Sequence, residues 1–267
     1  MQQNLLLGRN YHSSHQTTPW LYGLPNRFGG QWGLQNLSIL ILVTGGTGLL
    51  GSALLQTLVK ANEPVRALYR TQKPTWAGSE KIDWWPADLD DVHALEDALS
   101  GVDKVYHCAA TVSFHPARKK ALFQTNVMGT ANLVNACLSQ NVRRFLLVSS
   151  VAALGRIRQE KTIDESMHWS PETSNSEYGR TKYLAELEAW RGMAEGLEVV
   201  AVNPVIILGA GNWEGGSSGI FKSAYKEFPW YTEGMSGFVD VQDVVNAMLL
   251  VMADGATGER YILSGQR

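Results

Sequence analysis

Apolar and polar positions alternate between two periods from about residue 38 onward. Ile39 to Val43 is a continuous apolar run, long enough for a strand buried on both faces. Leu50, Leu54, Leu55 and Leu58 then recur at helical spacing, which predicts a helix over 49–60. Val65 to Tyr69 and Ile82 to Trp85 read as the second and third strands. Val92, Leu95 and Leu99 share one face of a helix that Asp90 or Asp91 can cap and Gly101 can close. Val105 to Cys108 reads as a fourth strand, and Pro116 suits the first position of a long helix running to Gln140. Phe145 to Val148, a helix over 178–193, Leu197 to Val202 and a last strand at Tyr261 to Leu263 complete the series. Such alternation implies a doubly wound α/β fold, a parallel sheet covered on both faces.

Two stretches depart from this rhythm. Residues 209–237 are rich in Gly, Trp, Tyr and Ser. In a doubly wound fold an insertion there sits beyond the C-terminal strand ends, and we expect it to form part of a substrate pocket. Residues 1–37 contain Arg9 and Arg27 but no acid, and Leu5-Leu6-Leu7 is too short for a secretory signal. We expect them to be a disordered or loosely attached extension, with residues 38–267 forming the folded α/β domain.

Composition removes several classes of function. The chain has 267 residues, 45% hydrophobic and 18% charged, which is ordinary globular composition. With 23 basic and 25 acidic residues its net charge is −2, so a nucleic-acid partner held by phosphate neutralisation is not expected. Two cysteines, Cys108 and Cys137, make neither a disulfide framework nor a four-thiolate zinc site. His107 and His115 do not complete a metal-ligand set with Cys108, so no metal is expected. No apolar run approaches the ~18 residues of a membrane span, so the expected location is cytoplasmic. Arg143-Arg144 and Lys119-Lys120 read as solvated pairs, and Trp84-Trp85 as core packing.

The first informative chemistry lies between the first strand and first helix. Thr44-Gly45-Gly46-Thr47-Gly48-Leu49-Leu50-Gly51 spells G-x-x-G-x-x-G. Gly45 permits a tight turn, Gly48 admits a pyrophosphate against the backbone, and Gly51 lets the helix pack closely on the sheet. Its place after a strand and at the opening of a helix makes the pattern specific, and the absence of Gly-Lys-Ser/Thr disfavours a triphosphatase loop. At the end of the second strand an acid would bind a ribose 2′-hydroxyl. Here Tyr69 is followed by Arg70, with Lys73 nearby. A guanidinium suits a 2′-phosphate, so NADP(H) is favoured and NAD(H) is the alternative.

The second is Tyr178-Gly179-Arg180-Thr181-Lys182, which places Tyr178 and Lys182 four apart on one helical face. A neighbouring ammonium lowers a phenol's pKa, so the pair can exchange a proton with a carbonyl or alcohol. Ser149-Ser150 closes the fifth strand, at the sheet edge where ligands bind, and a hydroxyl there can hold a substrate oxygen.

Taken in order, these features resemble the extended branch of the short-chain dehydrogenase/reductase superfamily, the NAD-dependent epimerase/dehydratase family. Ala87-Asp88-Leu89, His107-Cys108-Ala109-Ala110, Asn126-Val127-Met128-Gly129-Thr130, Asn203-Pro204 and Phe238-Val239-Asp240-Val241 add to the resemblance, which covers about residues 39–265. It implies a Rossmann domain with Tyr178 as proton donor or acceptor. Lys182 would hold the nicotinamide ribose and tune Tyr178. Ser150, rather than Ser149, would be the catalytic hydroxyl, and Asn126 would support the site through a structural hydrogen bond. Thr44, Gly45, Thr47, Gly48, Leu49 and Gly51 would surround the phosphates and Arg70 the adenosine ribose. Asp88 and Leu89 would meet the adenine, Ala109 and Ala110 the cofactor backbone, and Pro204 and Val205 the nicotinamide.

The resemblance also implies a homodimer through helices 116–140 and 175–193. Relatives of this branch continue several tens of residues past a strand like Tyr261, so the C-terminal substrate region is expected to be truncated. Two activities fit. One is NADPH-linked reduction of a carbonyl on a small organic substrate, favoured by Arg70 and by the aromatic insertion (Trp213, Phe221, Tyr225, Phe228, Trp230, Tyr231). The other is a nucleotide-sugar epimerase with retained NAD, to which Lys222 and Lys226 could offer charge. A dehydratase would want acids where Val151 and Ala152 stand. A non-catalytic NADP-binding protein is the third reading, and the complete Ser-Tyr-Lys set argues against it.

Overall fold

The computed structural model describes residues 39–155, 163–170, 176–211, 219–227 and 236–265. The segment 1–37 lies outside them, as do Trp213, Phe228, Trp230 and Tyr231 of the insertion. In chain order the elements are β1 (Leu40–Thr44), α1 (Leu49–Lys60), β2 (Val65–Tyr69), β3 (Asp83–Pro86), α2 (Val92–Leu99) and β4 (Val102–His107). They continue with α3 (Lys119–Phe123), α4 (Gly129–Ser139), β5 (Arg144–Val148), α5 (Glu177–Ala194), β6 (Glu198–Pro204), β7 (Ile206–Leu208), α6 (Gly219–Tyr225), β8 (Phe238–Asp240), α7 (Val241–Asp254) and β9 (Arg260–Leu263).

Strands that are apolar at every position must be covered on both faces. In β1, Ile41 and Val43 enter one apolar cluster and Leu42 the other. In β5, Leu146 and Val148 join the first, Phe145 and Leu147 the second. Leu54, Leu55 and Leu58 of α1 and Val244, Val245 and Met248 of α7 close the first layer. Leu95 and Leu99 of α2, Leu133 and Val134 of α4 and Ala189 of α5 close the second. The result is a seven-stranded parallel sheet in the order β3-β2-β1-β4-β5-β6-β9. Pro86, which cannot donate to a neighbour, ends the edge strand β3. The order reverses between β1 and β4, so the loops leaving them diverge and open a crevice at their carboxyl ends. Among the described residues no helix is long and apolar enough to cross a membrane, and no cluster of His, Cys, Asp and Glu could hold a metal ion.

Four expectations need correction. The long helix over 116–140 is helical throughout but changes register. Pro116–Arg118 is a 3-10 turn, α3 follows, and Gln124–Met128 is a π-turn before α4. An apolar period cannot register the extra residue of a π-turn, a feature frequent at functional sites. The fourth strand starts at Val102 and ends at His107, leaving Cys108 in the loop. Arg144 is not solvated. It is buried, pairs with Glu198 at 3.2 Å, and donates to the carbonyls of Val251 (3.1 Å) and Gly255 at the C-terminus of α7. Arg143, outside the strand, is the exposed member and pairs with Asp103. Finally, α7 and the small parallel pair β7-β8 were not anticipated, although Asp240 caps α7 through Gln242 N–H and buried Val244, Val245, Met248 and Met252 carry helical spacing. Phe238 to Val241, read alone, resembles a strand and hides the start of that helix.

Candidate active site

The loop after β1 is shaped by three glycines with different jobs. Gly45 has φ +71°, and a Cβ on it would lie 2.6 Å from Ala109 N. A Cβ on Gly51 would lie 2.2 Å from the Gly45 carbonyl oxygen, so α1 can meet the turn only through a glycine. Gly48 is exposed, and a Cβ there would meet nothing nearer than 3.4 Å. The fold therefore does not need a glycine at 48, whereas a ligand resting on the backbone does. Gly48 also caps α1 without a side-chain hydrogen bond, and the first turn holds no carboxylate. Free N–H groups and the positive helix end suit a pyrophosphate.

A cavity of about 240 Å³ opens from this turn. It brings together Thr44, Gly45, Thr47, Gly48, Arg70, Asp88, Leu89, Ala109 and Ala110. Leu49 and Gly51 of α1, and Ser150, Tyr178, Lys182, Pro204 and Val205, lie outside its lining. Sequence reasoning missed Thr71, Gln72 and Thr125 as lining residues. The signal was position alone, since the first two continue from the end of β2 and the third precedes Asn126. Arg70 and Asp88 approach to 3.8 Å, with both side chains half or more exposed.

Beneath the crevice runs a fully assigned hydrogen-bond chain. Thr130 Oγ1 donates to the Asn126 carbonyl (2.6 Å), so it must accept from His107 Nε2–H (3.0 Å). His107 Nδ1 then accepts from Thr44 Oγ1 (2.7 Å), which accepts from Ala109 N–H (3.2 Å). The network thus fixes the tautomer. Burial, helped by the Lys182 charge, lowers the His107 pKa to about 3. An unfolded histidine takes a proton near 6.5. Between pH 6.5 and 3 the unfolded state therefore binds more protons, and stability falls as the pH is lowered through that window. In urea titrations at stepped pH, His107→Gln should show a flatter loss of stability from pH 6.5 downward, and an unchanged slope would refute this.

The second group of residues gathers where β5 ends. Ser150 caps the 3-10 turn Val151–Ala153, its Oγ accepting from Ala152 N–H at 3.2 Å. Its hydroxyl hydrogen is thereby left for another acceptor, and it lies close enough to the Tyr178 phenol to lower that group's pKa. Ser149 is buried, and among the described residues its Oγ has no partner. Ser176 caps α5 through Gly179 N–H, which places Tyr178 in the first turn. Gly179 lets α5 approach, since a Cβ there would lie 2.5 Å from the Ala152 carbonyl oxygen. Lys182 is buried and donates from Nζ to the Val148 carbonyl at 2.7 Å. Burial lowers its pKa to about 8, against a raising contribution from Glu186. Burial raises the Tyr178 phenol above its ordinary 10, and Ser150 is the group that lowers it. That differs from the expectation that Lys182 would be the lowering group. Asn126 spends its side chain inside the protein. Oδ1 accepts from Thr111 N–H (2.7 Å), and Nδ2 donates to the Thr111 carbonyl (3.0 Å) and to Thr181 Oγ1 (3.1 Å). It ties the loop after β4 to α5 one residue before Lys182. Phe114, largely exposed, packs edge-to-face on the Tyr178 ring at 5.9 Å.

A phosphate-shaped turn at the switch point of a parallel sheet, with Ser, Tyr and Lys at a neighbouring strand end, defines a nucleotide-cofactor-binding α/β protein. More particularly, the pattern described as the NAD dependent epimerase/dehydratase family matches residues 41–264, and the chain belongs to that family. It is 36% identical over 230 residues to sterol demethylase protein B of Methylococcus capsulatus, covering 84% of this chain and 69% of that protein. It is 33% identical over 228 residues to a protein of Synechocystis sp. named as a dihydroflavonol 4-reductase, covering 83% and 66%. The chain thus spans about two thirds of these relatives' length. The crystal structure of gox2253 matches with a TM-score of 0.78 at 31% identity, over 86% of this chain and 70% of that one.

Proposed function

We propose that this protein is an NADPH-linked reductase of a carbonyl on a small, largely apolar organic substrate, with Ser150, Tyr178 and Lys182 as its catalytic residues. One observation carries the reading: Ser150 beside the Tyr178 phenol at the carboxyl end of β5, with the buried Lys182 one turn along α5. The relative named as a dihydroflavonol reductase supports it. So does Phe114, an exposed apolar side chain packed on the Tyr178 ring.

The bound nicotinamide would supply the hydride. The protein's part is to hold the substrate oxygen and deliver a proton to it. Ser150, its Oγ already accepting from Ala152, donates to that oxygen. Tyr178 passes its phenolic proton, and the Lys182 ammonium stabilises the phenolate left behind. The missing acid pair at Val151 and Ala152 speaks against dehydration. Consumption of NADPH, followed optically with a panel of apolar ketones and aldehydes, tests the reading. Turnover of none of them, or of a nucleotide sugar instead, overturns it.

The cofactor preference rests on Arg70, at the cavity mouth with no acid at the end of β2. Arg70→Ala should weaken NADPH by about tenfold, the loss of one solvent-exposed charge-assisted contact, and leave NADH affinity unchanged. Fluorescence titration with both cofactors measures this, and equal affinities in the wild type would refute it.

A further inference from the structure

Glu186 is 1% exposed, one turn beyond Lys182 on α5. A buried carboxylate is retained only when its charge is met. Here Oε1 accepts from Asn203 Nδ2 at 2.7 Å and Oε2 pairs with Arg260 Nη1 of β9 at 3.1 Å. Asn203 uses the same Nδ2 to donate to the Ser150 carbonyl at 3.0 Å. The carboxylate is therefore joined to both halves of the candidate site. Through Asn203 it fixes the backbone of Ser150. It also stands one turn along α5 from Lys182, where its charge favours the ammonium.

We propose that Glu186 is a positioning residue of this site, whose negative charge keeps Lys182 an ammonium and whose Asn203 bridge holds Ser150 in place. The proposal rests on the reductase reading for its kinetic consequence, but not for its electrostatics. Among the described residues, the other groups around Lys182 offer no such counter-charge. His107, the last residue of β4, is neutral, and the Cys108 thiol is pushed up to about 12 by burial. Tyr178, on the same helix face, is a neutral phenol until pH well above 7. Arg260 pairs with Glu186 at 3.1 Å and offsets part of its field.

Removing a negative charge lowers every nearby pKa. The first proton lost from the coupled Tyr178–Lys182 pair then leaves at lower pH, whichever group gives it up. Glu186→Gln should move the alkaline limb of kcat/KM for carbonyl reduction down by about one pH unit, the size of effect expected from a close charge. Glu186→Asp, which keeps the charge, should restore the limb. Asn203→Ala, which keeps the charge and cuts the bridge to Ser150, should lower kcat without moving the limb. A second readout needs no turnover. The ¹³Cε resonance of Lys182 in the cofactor-free protein should titrate about one unit lower in Glu186→Gln.

A limb and a Lys182 titration both unmoved in folded Glu186→Gln would overturn the proposal, even if kcat fell at all pH values. Should that variant not fold, the pair Glu186→Gln with Arg260→Gln leaves no buried orphan charge and makes the same prediction in sign. A wild type that reduces no carbonyl, with Lys182 still shifted by Glu186→Gln, would overturn the reductase reading and uphold the charge coupling.

Discussion

Tyr178→Phe lowers carbonyl turnover by ~10²–10⁴-fold, the range for a lost general acid, while NADPH affinity stays within about twofold because no phosphate or ribose contact is touched. Phenylalanine keeps the ring and its edge-to-face contact with Phe114, so the wall of the site survives. What goes is the phenolic hydroxyl and its proton. Lys182 keeps its bond to the Val148 carbonyl and its ammonium, but has no phenolate to stabilise. The alkaline limb set by the Tyr178–Lys182 pair should therefore vanish from the residual rate. The comparison is a pair of kcat/KM profiles from pH 6 to 10 with a cofactor titration at one pH. Residual activity within tenfold of wild type would remove Tyr178 from the mechanism, and the assignment of the site with it.

The extent to which this site was legible from residues alone follows from the kind of signal each residue leaves. Doubly buried strands such as β1 and β5 announce themselves as apolar runs, and the phosphate turn announces itself by glycine placement. Both are local, and both appear where they were expected. Register is a different matter. The π-turn at Gln124–Met128 rotates Asn126 toward Thr111 and Thr181, and no apolar period encodes it. Buried polar pairs are equally silent. Arg144 looks like its exposed neighbour Arg143 until α7 is packed over β5, and Glu186 and Arg260 are 74 residues apart. His107 was read as structural rather than metal-binding, and its geometry explains why. Both ring nitrogens are occupied by threonine hydroxyls that join the phosphate turn to the helix carrying Asn126. Local chemistry was visible, whereas the contacts that orient it are long-range and needed the fold.

The turn itself yields the second large effect, because its glycines separate folding from binding. Gly51→Ala puts a methyl 2.2 Å from the Gly45 carbonyl oxygen and 3.0 Å from the Gly46 Cα. Both neighbours are backbone, so neither can swing aside. Relief requires α1 to move off the turn, which costs about 1–3 kcal/mol or more as overpacking and withdraws the helix end from the crevice. Gly48→Ala meets nothing nearer than 3.4 Å, at an exposed position with φ −86° that any residue can adopt. The weaker capping of alanine and its lower unfolded-state entropy oppose each other, leaving stability within about 1 kcal/mol of wild type. The added methyl, however, stands where a phosphate must reach the N–H groups of α1, and NADPH affinity should fall by roughly 10–100-fold with the loss of charge-assisted contacts. Thermal unfolding beside cofactor titration distinguishes the two. Gly51→Ala should lose both stability and binding, Gly48→Ala binding alone. If Gly48→Ala binds NADPH as the wild type does, the glycine at 48 has no ligand to explain it, and the pyrophosphate does not lie on this turn.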